Sequence, residues 1–380
     1  MKRIAACILA VSLLTGLCAC QPDGSSASSS AEKASAAESI ASQSDESKED
    51  TANSSEEDTS EESTASRDES SAASEVSEMG EAEYTIENDI PVVYHNGHYR
   101  ALSLLGGGSG NSYVSAVNTL RERLDSSVRI YSATAPLPSE YYIPANYEGY
   151  VLNQKECFDE VAGRFNDGIE YVDIDTALSY HTAEDIYLRT DHHWTPLGAY
   201  YAAAELAKAA GVPFKELSSY KAVDIEGYVG TMYIFTESEK LENDPELFRY
   251  YIPDNYEKCK TEFFSTSMES WGEGNFFIEV ADPQSNAYIT FMGGDEQIVK
   301  VTTDVKNGRK LMIVKDSFGN AIPSCLFGSF EEIMIVDMRY CDVSLVGLVN
   351  DEGITDLALI MDAYSMFGNN ADDLEELAAR

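Results

Sequence analysis

The pattern of apolar and polar positions is clearest in the last third of the chain. "KLMIVKD" from Lys310, "EIMIVDM" from Glu332 and "DLALIMD" from Asp356 are short, nearly continuous apolar runs, as expected of strands covered on both faces. The intervening "SFGNAIPSCLFGSF" and "VSLVGLVNDEGI" are long enough to form crossovers, and parallel strands joined that way build a three-layer α/β/α sandwich. Upstream, "VRIYSATA" reads as a further strand. It follows a glycine-rich bend and a segment with Tyr113, Val117 and Leu120 at helical spacing. "IPVVYHNGHYRAL" predicts a hairpin turning at Asn96-Gly97. Residues 213–305, rich in Tyr, Glu, Asn and Asp, keep no sustained period and read as an insertion or cap over the sheet edge. Residues 84–380 therefore form one α/β domain.

The other end of the chain has a different rhythm. "MKRIAACILAVSLLTGLCAC" places two basic residues before an apolar run too short to span a bilayer, which reads as an export signal over residues 1–19. Its "LCAC" resembles the lipobox of bacterial lipoproteins, which implies lipidation of Cys20 and tethering to the outer face of the cell membrane. Acyl chains contribute ~0.8 kcal/mol per buried methylene, so several of them make a durable anchor. Residues 20–83 are Ser, Ala, Glu and Asp with scarcely an aromatic, a composition that cannot offset its ordering entropy and reads as a disordered tether.

Charge narrows the partners. Residues 21–83 carry 18 acidic and 3 basic side chains, and residues 84–380 hold a net -27 of the chain's -40. A domain this acidic repels nucleic acid and polyanions, leaving a neutral or cationic glycan or a small ligand as the easier partner. The domain's cysteines, Cys157, Cys259, Cys325 and Cys341, permit three pairings and select none. None has the spacing of a zinc site, and no cofactor is called for.

Two stretches carry candidate chemistry. In "LMIVKDSFGN" a buried strand runs into Asp316, Ser317 and Gly319, where α/β sheets place their ligands, although a helix cap looks the same. In "RTDHHWTPLGAYYA" Asp191 and His193 are two apart, so in an extended segment both project to one side, with His192 pointing the other way. The carboxylate could then hold the imidazole as a base for Ser317. Thr195 and Pro196 suit the cap and first turn of the following helix, and Trp194 packs. Asp316, next to the candidate nucleophile, is placed to hold the turn. A metal reading of "DHH" needs further ligands, and the other histidines, His95, His98 and His181, supply no such cluster.

These residues resemble a known family. "YLRTDHHWTPLGAYYA" and "KLMIVKDSFGNAIPSCL" followed by "EIMIVDMRY" are similar to the DHHW family of bacterial exported proteins, with weaker likeness in "GNSYVSAVNTL", "DIEGYVGTMY" and "YITFMGGDEQI". That family is similar to alginate O-acetyltransferases, whose SGNH-hydrolase-like domain is circularly permuted. The resemblance implies Asp191 as orienter, His193 as base and Ser317 as nucleophile, forming an acyl-serine that passes acetyl to a sugar hydroxyl of an extracellular or cell-wall glycan. A membrane-bound O-acyltransferase would be the expected acetyl donor. Asn320 and Arg339 are the candidates for oxyanion or substrate contacts. Departures from the SGNH pattern, such as Lys315 where the glycine of Gly-Asp-Ser is expected, keep two alternatives open. One is a glycan acetyl esterase using the same three residues, and the other is a non-catalytic glycan-binding or assembly protein.

Overall fold

A computed structural model describes residues 79–380. The expected signal peptide, Cys20 and the tether up to residue 78 lie outside the described residues. Packing begins inside the interval read as tether: Met79 is buried against Val93 and Leu102, and its carbonyl accepts from Ala145 N at 3.1 Å.

Three short strands, β1 (Glu83–Glu87), β2 (Ile90–His95) and β3 (His98–Ala101), form an antiparallel sheet. The β2–β3 turn is the expected Asn96-Gly97, both residues having positive φ, 52° and 88°. The chain then enters the main sheet through β4 (Arg129–Ala135) and β5 (Ile169–Tyr171). β6 (Lys221–Tyr228) and β7 (Glu246–Ile252) pair as a separate ribbon. β8 (Lys260–Phe264), β9 (Ser270–Gly274) and β10 (Ile298–Thr302) return to the main sheet, followed by β11 (Lys310–Lys315), β12 (Glu332–Asp337) and β13 (Asp356–Asp362).

The eight strands run in the order β5-β4-β13-β11-β12-β10-β8-β9. β5 through β12 in that order are parallel, whereas β10, β8 and β9 continue the sheet antiparallel. The three apolar runs legible in the sequence are β11, β12 and β13, and all seven residues of β13 are buried, as a strand covered on both faces requires. The interval 213–305 is more than a cap: β8, β9 and β10 lie in it and extend the sheet.

Two apolar cores lie on opposite faces of the sheet, so the architecture is the expected three-layer α/β/α sandwich. On one face the helix Pro196–Ala210 packs with Ile313, Ile335 and Ile360; on the other, Asn111–Arg123, Leu345–Glu352 and Asn370–Ala379 pack with Met312, Val336 and Leu359. The parallel strands β4, β13, β11 and β12 all end on one side, and that edge carries Asp316, Ser317, Arg339 and Asp362. All four cysteines of the domain are free thiols, Cys325 and Cys341 being buried. Among the described residues no helix is long and apolar enough to cross a membrane.

Candidate active site

β11 delivers the nucleophile candidate by ending abruptly. Asp316 caps the short 3-10 turn Ser317–Asn320, its Oδ1 accepting from Phe318 N at 2.9 Å. Its Oδ2 accepts from Asp362 N at 2.8 Å and from Ser365 Oγ at 2.6 Å, which ties the turn to the end of β13. Asp316 thus holds the turn, the place expected for it. Gly319 is dictated by the same bend: a Cβ there would stand 2.4 Å from Cβ of Lys315.

The base candidate sits on a loop closed by pairing of Tyr187 with Trp194, with Leu188 N donating to His193 O at 3.2 Å. Thr195 caps the next helix, its hydroxyl accepting from Gly198 N at 3.1 Å, and Pro196 takes the first turn. Trp194 is fully buried and its Nε1 donates to Phe318 O at 3.0 Å, so the base loop and the nucleophile turn share a contact.

These elements bring Asp191, His193 and Ser317 together. His193 Nδ1 lies 2.6 Å from Asp191 Oδ1, and His193 Nε2 lies 2.9 Å from Ser317 Oγ. The pairing of Asp191 with His193 does not come from an extended segment. Residues 191–193 bend, and Asp191 Oδ1 also accepts from His193 N at 3.1 Å, a local side-chain turn. For the same reason His192 does not point away: the bend sets its ring 3.8 Å from that of His193, and its Nδ1 lies 2.6 Å from Thr231 Oγ1.

Residues of the interval 213–305 complete the surroundings. Asp191 Oδ2 accepts from Tyr228 Oη at 2.8 Å, Thr231 N at 2.9 Å and Thr231 Oγ1 at 3.1 Å. Gly230 makes that approach feasible, because a Cβ there would meet the Asp191 side chain at 2.4 Å. Tyr288 stacks on the His193 ring at 3.9 Å and 8°, with its hydroxyl donating to Phe318 O at 3.3 Å. Burial pushes the Asp191 carboxyl up, but the two imidazoles and the hydrogen bonds from His193 and Thr231 N outweigh it and hold it well below the usual carboxylate range. His192 is pushed down to about 4 by burial and by repulsion from the His193 ring, against the pull of Asp191.

A second buried polar cluster lies beside the nucleophile turn. Lys315 Nζ, 1% exposed, donates to Asp295 at 2.9 Å and Asp337 at 2.8 Å. Arg339 bridges the same two acids, reaching Asp295 Oδ2 at 2.9 Å and Asp337 Oδ2 at 2.7 Å. Asn320 Nδ2 donates to Asp295 Oδ1 at 2.7 Å, and its buried Oδ1 has no partner among the described residues. Asn320 and Arg339, the two oxyanion or substrate candidates, are therefore near the turn with most of their donors engaged by acids. Asp191, His192 and His193 bring ligand-type atoms within 4.8 Å of one another. Both nitrogens of His193 and both oxygens of Asp191 already take part in hydrogen bonds, so this donor set fits a proton relay better than an ion.

The family model described as DHHW protein matches residues 48–336. A crystal structure of a DHHW family protein from Eubacterium siraeum DSM 15702 is 42% identical over 77% of this chain and 97% of its own, with a TM-score of 0.74. The chain belongs to the DHHW family. Bacillus cereus PatB1, solved with a sulfonyl adduct, matches this DHHW chain at 16% identity over 77% of it and 98% of PatB1, with a TM-score of 0.58. That likeness is one of fold. The O-acetyltransferase domain of Pseudomonas putida AlgJ matches at 12% identity over 76% and 99% of the two chains, with a TM-score of 0.43. No curated protein matches.

The DHHW motif yielded Asp191 and His193 and the "KDSFGN" stretch yielded Ser317, but Tyr228, Thr231, Tyr288, Asp295 and Asp337 are not singled out by the sequence pattern. A signal for most of them was present. Tyr228, Gly230 and Thr231 lie in "DIEGYVGTMY", and Tyr288 and Asp295 in "YITFMGGDEQI", the weaker blocks of family likeness.

Proposed function

We propose that the protein is a serine-dependent O-acetyltransferase that modifies an extracellular or cell-wall polysaccharide, held at the membrane surface by its N-terminal tether. The observation that carries this reading is the unbroken hydrogen-bond chain from Asp191 through His193 to Ser317, 2.6 Å and 2.9 Å. It is the arrangement by which an imidazole takes the proton of an attacking hydroxyl while a carboxylate steadies the imidazolium.

In the first half-reaction Ser317 Oγ attacks the acetyl carbonyl of the donor as its proton moves to His193 Nε2. Collapse of the tetrahedral intermediate breaks the bond to the leaving group, which takes that proton, and leaves acetyl on Ser317. In the second half-reaction a sugar hydroxyl gives its proton to His193 Nε2 and attacks the acetyl-serine. Ser317 Oγ then departs, recovering the proton. Asp191 is fixed for this work by Tyr228 and Thr231, and Tyr288 restrains the plane of the base. A membrane-bound O-acyltransferase would supply the acetyl group on this reading.

The test uses the full-length protein with 4-nitrophenyl acetate. Mass spectrometry should find acetyl on Ser317, lost in Ser317→Ala, and addition of oligosaccharide should yield O-acetylated sugar. No label on Ser317 would sink the proposal, whereas label followed only by hydrolysis would turn it into an esterase.

A further inference from the structure

His192 has no part in the relay just described, yet its surroundings fix its protons. Thr231 Oγ1 lies 3.1 Å from Asp191 Oδ2 and 2.6 Å from His192 Nδ1. A carboxylate only accepts, so the single hydroxyl hydrogen of Thr231 goes to Asp191 and the Thr231 oxygen must accept from Nδ1–H of His192. Asp191 is held ionised by its donors, and partial burial together with the adjacent His193 ring keeps the His192 ring neutral near pH 7. The ring is therefore the Nδ1–H tautomer, with a bare lone pair on Nε2. That atom has no hydrogen-bond partner among the described residues and is not among the buried unsatisfied atoms, and 29% of the side chain is exposed. Nε2 is thus an acceptor open to a molecule arriving from solvent.

Two neighbours say what the lone pair could meet. The His193 ring, whose Nε2 faces Ser317, is 3.8 Å away, so neighbouring donors of one sugar ring could each address a different imidazole. Phe235, on the same short helix as Thr231, is 48% exposed with its ring 6.1 Å from that of His192. It offers an apolar surface for the C–H face of a pyranose.

We propose that His192 Nε2 accepts a hydrogen bond from a second donor of the acceptor glycan, a hydroxyl or amide N–H adjacent to the hydroxyl that His193 deprotonates, and so selects which hydroxyl is acetylated. This rests on the acetyl-serine reading above. The preferred acceptor class is a pyranose glycan with vicinal donors, and a simple alcohol bypasses the subsite. Thr231 is a positioning residue that acts through the tautomer of His192.

The experiment compares full-length wild type, His192→Asn and His192→Gln, with 4-nitrophenyl acetate as donor. The acceptors are methanol and a panel of neutral hexose and N-acetylhexosamine oligomers. Asn can keep an amide donor toward Thr231 but has no atom at the place of Nε2, whereas Gln can reach it with an amide oxygen. His192→Asn should lower kcat/KM for oligosaccharide transfer by ~10-fold or more and spread acetyl over several hydroxyls. Acetylation of Ser317 and transfer to methanol should fall by no more than ~3-fold, and His192→Gln should recover part of the loss. Equal losses with methanol and oligosaccharide, or none with oligosaccharide, overturn the proposal. Wild-type Ser317 that acetylates and then reacts with water alone also overturns it, while wild type with no acetyl on Ser317 removes the reading beneath it. Nitrogen-15 NMR of wild-type imidazoles at pH 7 gives a check without variants: His192 protonated on Nε2 instead of Nδ1 defeats the assignment.

Discussion

Two buried carboxylate centres flank the turn that carries Ser317, and they are built on opposite principles. Asp295 and Asp337 face Lys315 and Arg339, two acids against two permanent cations, so their charge is cancelled within the cluster. Asp191 faces no lysine or arginine in its hydrogen-bond shell; its oxygens accept from the backbone N–H groups of His193 and Thr231, two hydroxyls and one imidazole. A centre neutralised by fixed cations has nothing left to offer a passing proton and acts as scaffold. A carboxylate held by imidazoles and hydrogen-bond donors, with no permanent cation against it, keeps its negative charge available to an imidazolium formed beside it.

The contrast breaks most visibly at Asp191. Asp191→Asn retains shape but removes the charge and can fix the wrong imidazole tautomer, so kcat in the acetyl-transfer assay should fall by about 10⁴-fold, as in other Ser-His-Asp centres. A loss below ~10-fold would mean that the Asp191 carboxylate is not the electrostatic partner of the base.

The neutralised cluster should fail in stability instead. Lys315→Met leaves buried Asp337 and partly exposed Asp295 against Arg339 alone and should cost about 3–5 kcal/mol in urea unfolding. Adding Asp337→Leu restores one acid to one base and should recover part of that loss, although Arg339 N then loses its contact with Asp337. If the double variant is no better than Lys315→Met, charge balance is not what the cluster provides. Between these extremes, Tyr228→Phe removes one donor from Asp191 Oδ2 and should cost about 1–3 kcal/mol, read from the same unfolding curves.

The same contrast explains what could be read in advance. β11, β12 and β13 are legible because strands buried on both faces must be apolar throughout, Ser317 because it follows such a strand, and Asp191 and His193 because they precede a clearly capped helix. Tyr228 ends β6, Thr231 opens a short helix, Tyr288 lies on a 3-10 turn and Asp295 in a loop, and each acts on a residue far away in the chain, where periodicity carries no information. The edge strand β9 and its neighbour β8 are not legible because near the sheet margin "SWGEG" and "KTEFF" need not be apolar throughout. The bend at residues 191–193 was missed because an aspartate accepting from its own backbone two residues on leaves the same two-residue spacing as an extended strand.

Asp175 offers a third way to bury a carboxyl, and with it the smallest and most specific of these effects. It is 5% exposed, and its Oδ2 has neither a cation nor a donor among the described residues. Burial, reinforced by the charges of Glu140 and Asp173 and only partly opposed by Lys155, pushes its carboxyl up to about 8. Between about pH 4 and pH 8 the folded state therefore holds a proton that the unfolded state has released. Stability is lost as pH rises through that window, opposite to the behaviour of Asp191 or Asp295, whose depressed values add stability above the ordinary carboxylate pKa and lose it in acid. Asp175→Asn removes the titration, so its stability relative to wild type should rise steadily from pH 4.5 to pH 8. Urea unfolding at the two pH values measures this difference. A difference independent of pH would assign Asp175 an ordinary carboxyl and leave hydrogen-bond donors and fixed cations as the two devices by which this fold buries an acid.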